Sequence, residues 1–260
     1  MRKSRRRPLR RRSLVLQRGL RGSVLLLVLL VWCGGPCAQG QDPALETRFC
    51  TNEPTGRSLD GRGLALLYCT SRSGVTVPLE AAHATARPVF YGAVPAAWMG
   101  AGIAQDQSSV AAAYRLTLAQ SLTFGLVMGV KHLVGRPRPY VHRPLEARAE
   151  RHAPPAPGDA QLSFPSGHAS VSAALVTSWS LSHPRWYVIA PGALWATGVA
   201  LSRVYLGVHY PSDILVGTLV GAGISLLVHQ LRRRVTPTPL QAPSSTQRLR
   251  APPLVLRVRF

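Results

Sequence analysis

From Pro88 onward, apolar residues run through the chain in long blocks, broken at short intervals by glycine, proline and charge. The blocks predict five helices, at about 88–104, 109–133, 167–182, 186–202 and 211–231. The last is apolar on every face, and its Gly217 and Gly221 form a G-x-x-x-G that allows close contact with a neighbouring helix. Arg115, Gln120 and Lys131 make the second helix less suited to lipid. The pattern predicts an all-α bundle, either spanning a membrane or compact, soluble and largely buried.

The flanks read differently. Residues 2–21 are rich in arginine, Val24–Trp32 is a short apolar core, and Ala38-Gln39-Gly40 is a small-x-small exit. Residues 1–40 are therefore expected to be a secretory signal, or a signal anchor if they are not cleaved. Residues 41–87 are polar and read as an exported extension before a helical domain at 88–231, and 232–260 as a basic, disordered tail. Cys33 and Cys37 leave with the signal, and Cys50 and Cys69 remain as either one disulfide or two free thiols. With 260 residues the chain is long enough for one domain with a proper core.

The formal charge of +21 suggests nucleic acid until its distribution is considered. Ten Lys/Arg lie in residues 1–22 and seven in 232–260, with no Asp or Glu in either, and the middle of the chain is only +4. Basic tails flanking apolar segments act as cytoplasmic anchors or bind anionic head groups. No aromatic residues interleave the arginines as single-strand binding requires. Nucleic acid is not an expected partner.

Candidate chemistry gathers in three stretches. Ser202–Asp213, S-R-V-Y-L-G-V-H-Y-P-S-D, puts Arg203, His209 and Asp213 within twelve residues. An imidazole that attacks phosphorus needs one bare nitrogen, with the other held by an acceptor. Asp213 is of the right type and position to be that acceptor, and equally suits the first turn of a helix begun at Pro211. Lys131–Pro139, K-H-L-V-G-R-P-R-P, sets Lys131 and Arg138 seven apart. Ser163–Ser170, S-F-P-S-G-H-A-S, presents His168 where an apolar run starts. There is no CxxC pair and no His-Glu-x-x-His, so a metal site has no support.

In these stretches the chain resembles the type 2 phosphatidic acid phosphatase superfamily, which also holds bacterial acid phosphatases and vanadium haloperoxidases. The family's motifs K-x6-R-P, P-S-G-H and S-R-x5-H-x3-D occur in that order and without substitution, at Lys131/Arg138/Pro139, Pro165–His168 and Ser202/Arg203/His209/Asp213. The resemblance covers roughly 88–231. It implies metal-independent phosphate-ester hydrolysis: His209 as nucleophile forming a phosphohistidine, Asp213 orienting it, and His168 as proton donor and then base. Lys131, Arg138, Arg203, Ser166 and the Gly167 N–H would cradle the phosphate. No cofactor is implied, except vanadate under a haloperoxidase reading.

Topology bears on location. If 41–87 lie outside a membrane, five crossings bring all three motifs to one exterior face and Arg232-Arg233-Arg234 to the cytoplasmic side, as the positive-inside bias requires. This favours five transmembrane helices in a bacterial-type inner membrane, with the site facing the periplasm. The expected substrate is a phosphorylated lipid or small phosphoester. A soluble periplasmic acid phosphatase, a haloperoxidase and a non-catalytic membrane scaffold are the alternatives.

Among residues outside the motifs, His83 and His132 are expected to have no catalytic task. Arg136 reads as a spare cation near the phosphate motif, with contact to solvent or head groups as the alternative, and Tyr205 and Tyr210 as packing residues. Arg115 is expected to pair within the bundle or lie near an interface. The charged, proline-rich loop Tyr140–Leu162 reads as a solvated connection, with a lid as the alternative.

Overall fold

The computed structural model describes residues 49–51, 58–143, 145, 148 and 158–237. The expected signal at 1–40 and most of the basic tail lie outside these residues. The described residues belong to one compact unit, in which helix is the only regular structure. In chain order the helices are α1 (Leu59–Tyr68), α2 (Ser73–Ala104), α3 (Gln107–Val134), α4 (Pro139–His142), α5 (Gly167–Ser182), α6 (Trp186–Tyr205), α7 (Pro211–Gln230) and α8 (Arg232–Val235).

Local chemistry sets most boundaries. Ser58 caps α1 by accepting the Gly61 N–H at 3.1 Å, and Asp106 caps α3 by accepting that of Ser109 at 2.8 Å. α3 ends on Gly135, whose φ of 58° is the left-handed conformation glycine adopts freely. Pro211 opens α7 at a position that needs no donor. α2 departs from expectation by starting fifteen residues before Pro88. Its first half carries Pro78, Pro88 and polar side chains, yet it buries Leu79, Ala82, Thr85 and Ala86, so packing outweighs the missing N–H donors. The boundary expected at 87/88 thus falls inside a helix.

The chain reverses between the five long helices, through short connections at 105–106, 183–185 and 206–210 and through the longer segment 135–166 that carries α4. The C-terminal ends of α3 and α6 therefore share one end of the bundle with the N-terminal ends of α2, α5 and α7. α5 is the central helix, and none of its residues is exposed. Its small residues let α7 approach closely: a Cβ at Gly217 would sit 2.6 Å from the Ser166 carbonyl oxygen, and one at Gly221 only 1.9 Å from that of Ser170. Polar bonds tie the other helices on, including Trp98 Nε1 to Thr117 Oγ1 at 3.0 Å, Trp195 Nε1 to Thr85 Oγ1 at 3.0 Å and Gln120 Nε2 to the Val171 carbonyl at 3.2 Å. At the far end Arg115 Nη2 meets Ser182 Oγ at 3.4 Å, so this arginine does find a partner within the bundle.

The outer surface is apolar. Tyr91, Met99, Ile103, Phe124, Leu194, Leu215 and Leu219 all project outward from α2, α3, α6 and α7. Two stretches, Gln107–His142 and Pro211–Gln230, are long and apolar enough to cross a membrane.

Two further features bear on the site. Cys50 and Cys69 are joined in a disulfide with Cα atoms 5.6 Å apart, which settles the open choice between bridge and free thiols. The loop after α4 is not merely solvated where it is described. Leu145 and Arg148 are buried, and the Arg148 guanidinium lies 3.8 Å from the Tyr68 ring centroid and 4.8 Å from that of Tyr205. It also donates to the Tyr205 carbonyl at 3.0 Å.

Candidate active site

Main-chain hydrogen bonds bring the three motif stretches together. The Arg138 N–H donates to the Ala160 carbonyl at 2.8 Å, and the Ser163 N–H to that of Arg136 at 2.9 Å. The Ser166 N–H donates to the Asp213 carbonyl at 3.0 Å. Within the third stretch the chain turns sharply after α6. Gly207 takes φ of 71°, and the Val208 and His209 N–H groups both reach the Arg203 carbonyl, at 3.1 and 3.2 Å. The five-residue gap between Arg203 and His209 spans the last two residues of α6 and the start of this turn.

His209 is buried, with Nδ1 3.6 Å from Asp213 Oδ2 and 3.5 Å from Ser163 Oγ. Asp213 Oδ2 accepts the Ser163 hydroxyl at 2.6 Å and the Tyr210 N–H at 2.9 Å, so the carboxylate also caps the first turn of α7. Asp213 thus stands both beside the imidazole and in the first turn of α7, the two placements the sequence allows. Because Nδ1 faces these acceptors, Nε2 carries the lone pair in the neutral ring. Burial pushes the His209 pKa down to about 3. The contact with Asp213 works against this shift, while the fields of Lys131, Arg138 and Arg203 reinforce it.

The three cations are themselves buried. The Lys131 ammonium donates to the Leu162 carbonyl. Arg138 Nη2 lies 2.7 Å from Asp159 Oδ2, and Arg203 Nη1 donates to His83 Nδ1 at 2.9 Å. His168 stands in the first turn of α5, its ring edge-on to Phe90 at 5.5 Å, and its buried Nε2 has no hydrogen-bond partner among the described residues. Arg203, His209 and His83 are close enough to act on it electrostatically. Ser166 is fully buried as the N-cap of α5, its hydroxyl 3.5 Å from the Ala169 N–H, and Gly167 opens the helix. A helix start of this kind presents main-chain N–H groups suited to an anion.

Several residues here carry no task in the motif reading. Ser163 lies inside the quoted proline-serine-glycine stretch but has no assigned role there. Arg136 is not a solvent-facing spare: Nη1 meets Asp213 Oδ1 at 2.6 Å and Nη2 meets Asp60 Oδ2 at 2.8 Å. His83 is a direct partner of Arg203 rather than a bystander. Asp60 and His83 come from α1 and α2, ahead of every motif, and no local pattern marks them.

The family model described as the PAP2 superfamily matches residues 110–237. The chain is 35% identical over 118 residues to the undecaprenyl-diphosphatase of Sulfolobus acidocaldarius, covering 45% of this chain and 54% of that protein. It is 38% identical over 101 residues to the decaprenylphosphoryl-5-phosphoribose phosphatase of Mycobacterium tuberculosis, covering 38% and 49%. The chain thus spans about half the length of these curated relatives. The crystal structure of Aquifex aeolicus LpxE superposes with a TM-score of 0.53 at 22% identity, over 67% of this chain and 97% of that one, which is a likeness of fold.

Proposed function

Residues 110–237 form a PAP2 superfamily domain, and from that membership we propose that the protein is a membrane-resident phosphatase that removes phosphate from a lipid monoester or diphosphate. The observation that carries this reading is the environment of His209: a buried, neutral imidazole with a carboxylate behind Nδ1 and the fields of three buried cations acting on it. A phosphoryl group in transfer gathers negative charge on its oxygens, and fixed cations stabilise that charge without reorganising. Both curated relatives are named as acting on a prenyl-chain phosphate, which supports a lipid substrate. So does the apolar outer surface of the bundle, unusual for a protein surrounded by water.

The steps follow from the residues. His209 Nε2 attacks phosphorus, forming the P–N bond as the P–O bond to the leaving alcohol breaks, and Asp213 stabilises the resulting imidazolium. His168 gives its proton to the departing oxygen. As a base it then takes a proton from water, which attacks phosphorus, breaks the P–N bond and frees phosphate and neutral His209. Lys131, Arg138, Arg203 and the start of α5 would bind the phosphoryl oxygens, with Asp159 giving up Arg138 to the incoming phosphate. Three buried cations supply the charge that a divalent metal otherwise would, so the reaction is proposed to need none. The site is proposed to face the periplasm, with Arg232–Arg234 at the cytoplasmic end and residues 1–40 as the export signal.

The test is phosphate release by the purified full chain in detergent with EDTA, comparing a long-chain prenyl diphosphate, phosphatidic acid and glycerol phosphate. Release from the lipids at a higher kcat/KM than from glycerol phosphate is expected. No release from any substrate, with halide oxidation on adding vanadate and peroxide, would replace this reading with the haloperoxidase alternative.

A further inference from the structure

Asp213 has two oxygens in different surroundings. Oδ2 is turned toward His209 and holds Ser163 and the Tyr210 N–H, whereas Oδ1 accepts Arg136 Nη1 at 2.6 Å. That guanidinium also reaches Asp60 Oδ2 at 2.8 Å and lies 4.2 Å from the Tyr210 ring centroid. Asp60 closes the circuit through Ser212, accepting its N–H at 2.9 Å and its hydroxyl at 2.7 Å. Arg136 Nη1 meets the same hydroxyl at 2.8 Å.

α1 can deliver Asp60 because it lies directly on the start of α7. A Cβ at Gly63 would stand 2.7 Å from Pro211 Cγ, so only glycine allows this approach without displacement. Leu64 and Tyr68 hold the helix there by burial among Phe49, Val204 and Ile214.

Burial favours the protonated form of a carboxylate, hydrogen-bond donors oppose this, and a cation in direct contact opposes it further; once neutral the group no longer stabilises an imidazolium. Resting on the phosphatase reading, we propose that Asp60 and Arg136 are positioning residues of the reaction: together they keep Asp213 ionised and its Oδ2 aimed at His209. The helix that precedes the family-matched region thereby sets the tautomer and angle of the nucleophile. Arg136 is not a fourth phosphate cation, since its guanidinium is engaged by two carboxylates and a ring. Hydrogen bonds from Ser212 and Arg136 hold the Asp60 carboxyl below its ordinary value against the opposing effect of burial, so the link stays charged at neutral pH.

The experiment compares Arg136→Ala, Arg136→Lys, Asp60→Asn and the Asp60→Asn/Arg136→Ala double variant in full-length protein, using an aryl phosphate. Arg136→Ala is expected to lower kcat by about 10–100-fold, the usual effect of losing an outer partner of a reactive group, while KM stays within about twofold. Its acid limb of kcat/KM should move to higher pH as Asp213 becomes easier to protonate. Arg136→Lys should recover part of the loss, Asp60→Asn should show a smaller loss in the same direction, and the double variant should be no worse than Arg136→Ala. A raised KM with unchanged kcat and additive losses would make Arg136 a substrate-binding residue and overturn the proposal. If Arg136→Ala does not fold, the lysine and Asp60 variants carry the comparison. Nitrogen NMR of His209 provides a readout independent of turnover: a wild-type ring protonated at Nδ1 should become a tautomer mixture in Asp60→Asn. If wild type releases no phosphate, the functional reading falls, yet an unchanged His209 spectrum is still what would overturn the positioning role.

Discussion

Gly221→Ala places one methyl group into the closest contact of the bundle. The new Cβ would lie 1.9 Å from the Ser170 carbonyl oxygen, 2.8 Å from its carbon and 3.0 Å from the Ala174 nitrogen. Carbon–oxygen contacts settle near 3.3 Å or more, so α5 and α7 must part locally by roughly 1 Å or more. No flexible side chain can yield, because all three obstructing atoms are main chain. Overpacking of this kind costs about 1–3 kcal/mol. Loss of the 2.8 Å bond from Ser225 Oγ to the Ala174 carbonyl on the same seam adds on the order of 1 kcal/mol. The seam continues to the Ser166–Asp213 main-chain bond, and a displacement of about 1 Å at reacting groups can cost about 10²-fold in rate. Gly223 is the internal control, since a Cβ there meets nothing within 4 Å. Gly223→Ala should be neutral or gain up to about 1 kcal/mol from helix propensity. Thermal unfolding in detergent and hydrolysis of an aryl phosphate measure both effects. Wild-type stability and rate in Gly221→Ala, or equal losses in both variants, would refute the close-seam reasoning.

Other outcomes are equally definite. His209→Ala should abolish the acid-labile phosphoenzyme and turnover of every substrate in rapid-quench experiments. His168→Ala should lose about 10²–10⁴-fold on an alkyl phosphate but far less on nitrophenyl phosphate, whose leaving group needs no proton; equal losses on both would remove His168 as the acid. With His209 at about 3, phosphoenzyme formation corrected for substrate ionisation should show no loss of nucleophile from pH 7 down to about 4, and a rapid-quench burst that falls away below about 6.5 would contradict this. The stability conferred by holding that ring neutral is complete above 6.5, where the unfolded imidazole is also neutral. It should be lost as pH falls from there toward 3, by at most about 1.4 kcal/mol per pH unit, which chemical denaturation across that range would measure. Arg148→Ala should lower stability by about 1–3 kcal/mol through the lost ring contacts and the bond to the Tyr205 carbonyl; an unchanged melting temperature would show the loop to be docked by other groups.

The parts of the molecule legible in the sequence are those whose causes are local. Pro211 and Asp213 mark the start of α7 because a first turn tolerates the one and uses the other, and the Arg203–His209 spacing matches a turn that Gly207 permits. Gly217 and Gly221 announce a close helix contact one turn apart. The first half of α2 was hidden because its prolines and polar residues mimic an extension, while the reason it is helical lies in burial against α6. Asp60 meets Ser212 across 152 residues and His83 meets Arg203 across 120, separations at which no spacing rule operates. Arg136 lies within a recognised motif, yet one of its carboxylate partners, Asp60, comes from outside the matched region and the other, Asp213, lies 77 residues further on, so its role was not visible there. Ser166 shows the reverse case: the family resemblance implies a phosphate ligand, and in this structure its hydroxyl sits at a helix cap.

The main-chain bonds that join Arg136 to Ser163, Arg138 to Ala160 and Ser166 to Asp213 have a consequence for descent. The frame that brings the reacting groups together does not depend on what those groups are, because any non-proline residue supplies the same N–H and any residue the same carbonyl. A lineage can therefore exchange a nucleophile, an acid or a cation at these positions without first inventing a new way to bring them into register. Where heredity is constrained is at Gly63, Gly217 and Gly221, where an added side chain would push whole helices apart. Such a scaffold permits its chemistry to diversify while its glycines stay fixed.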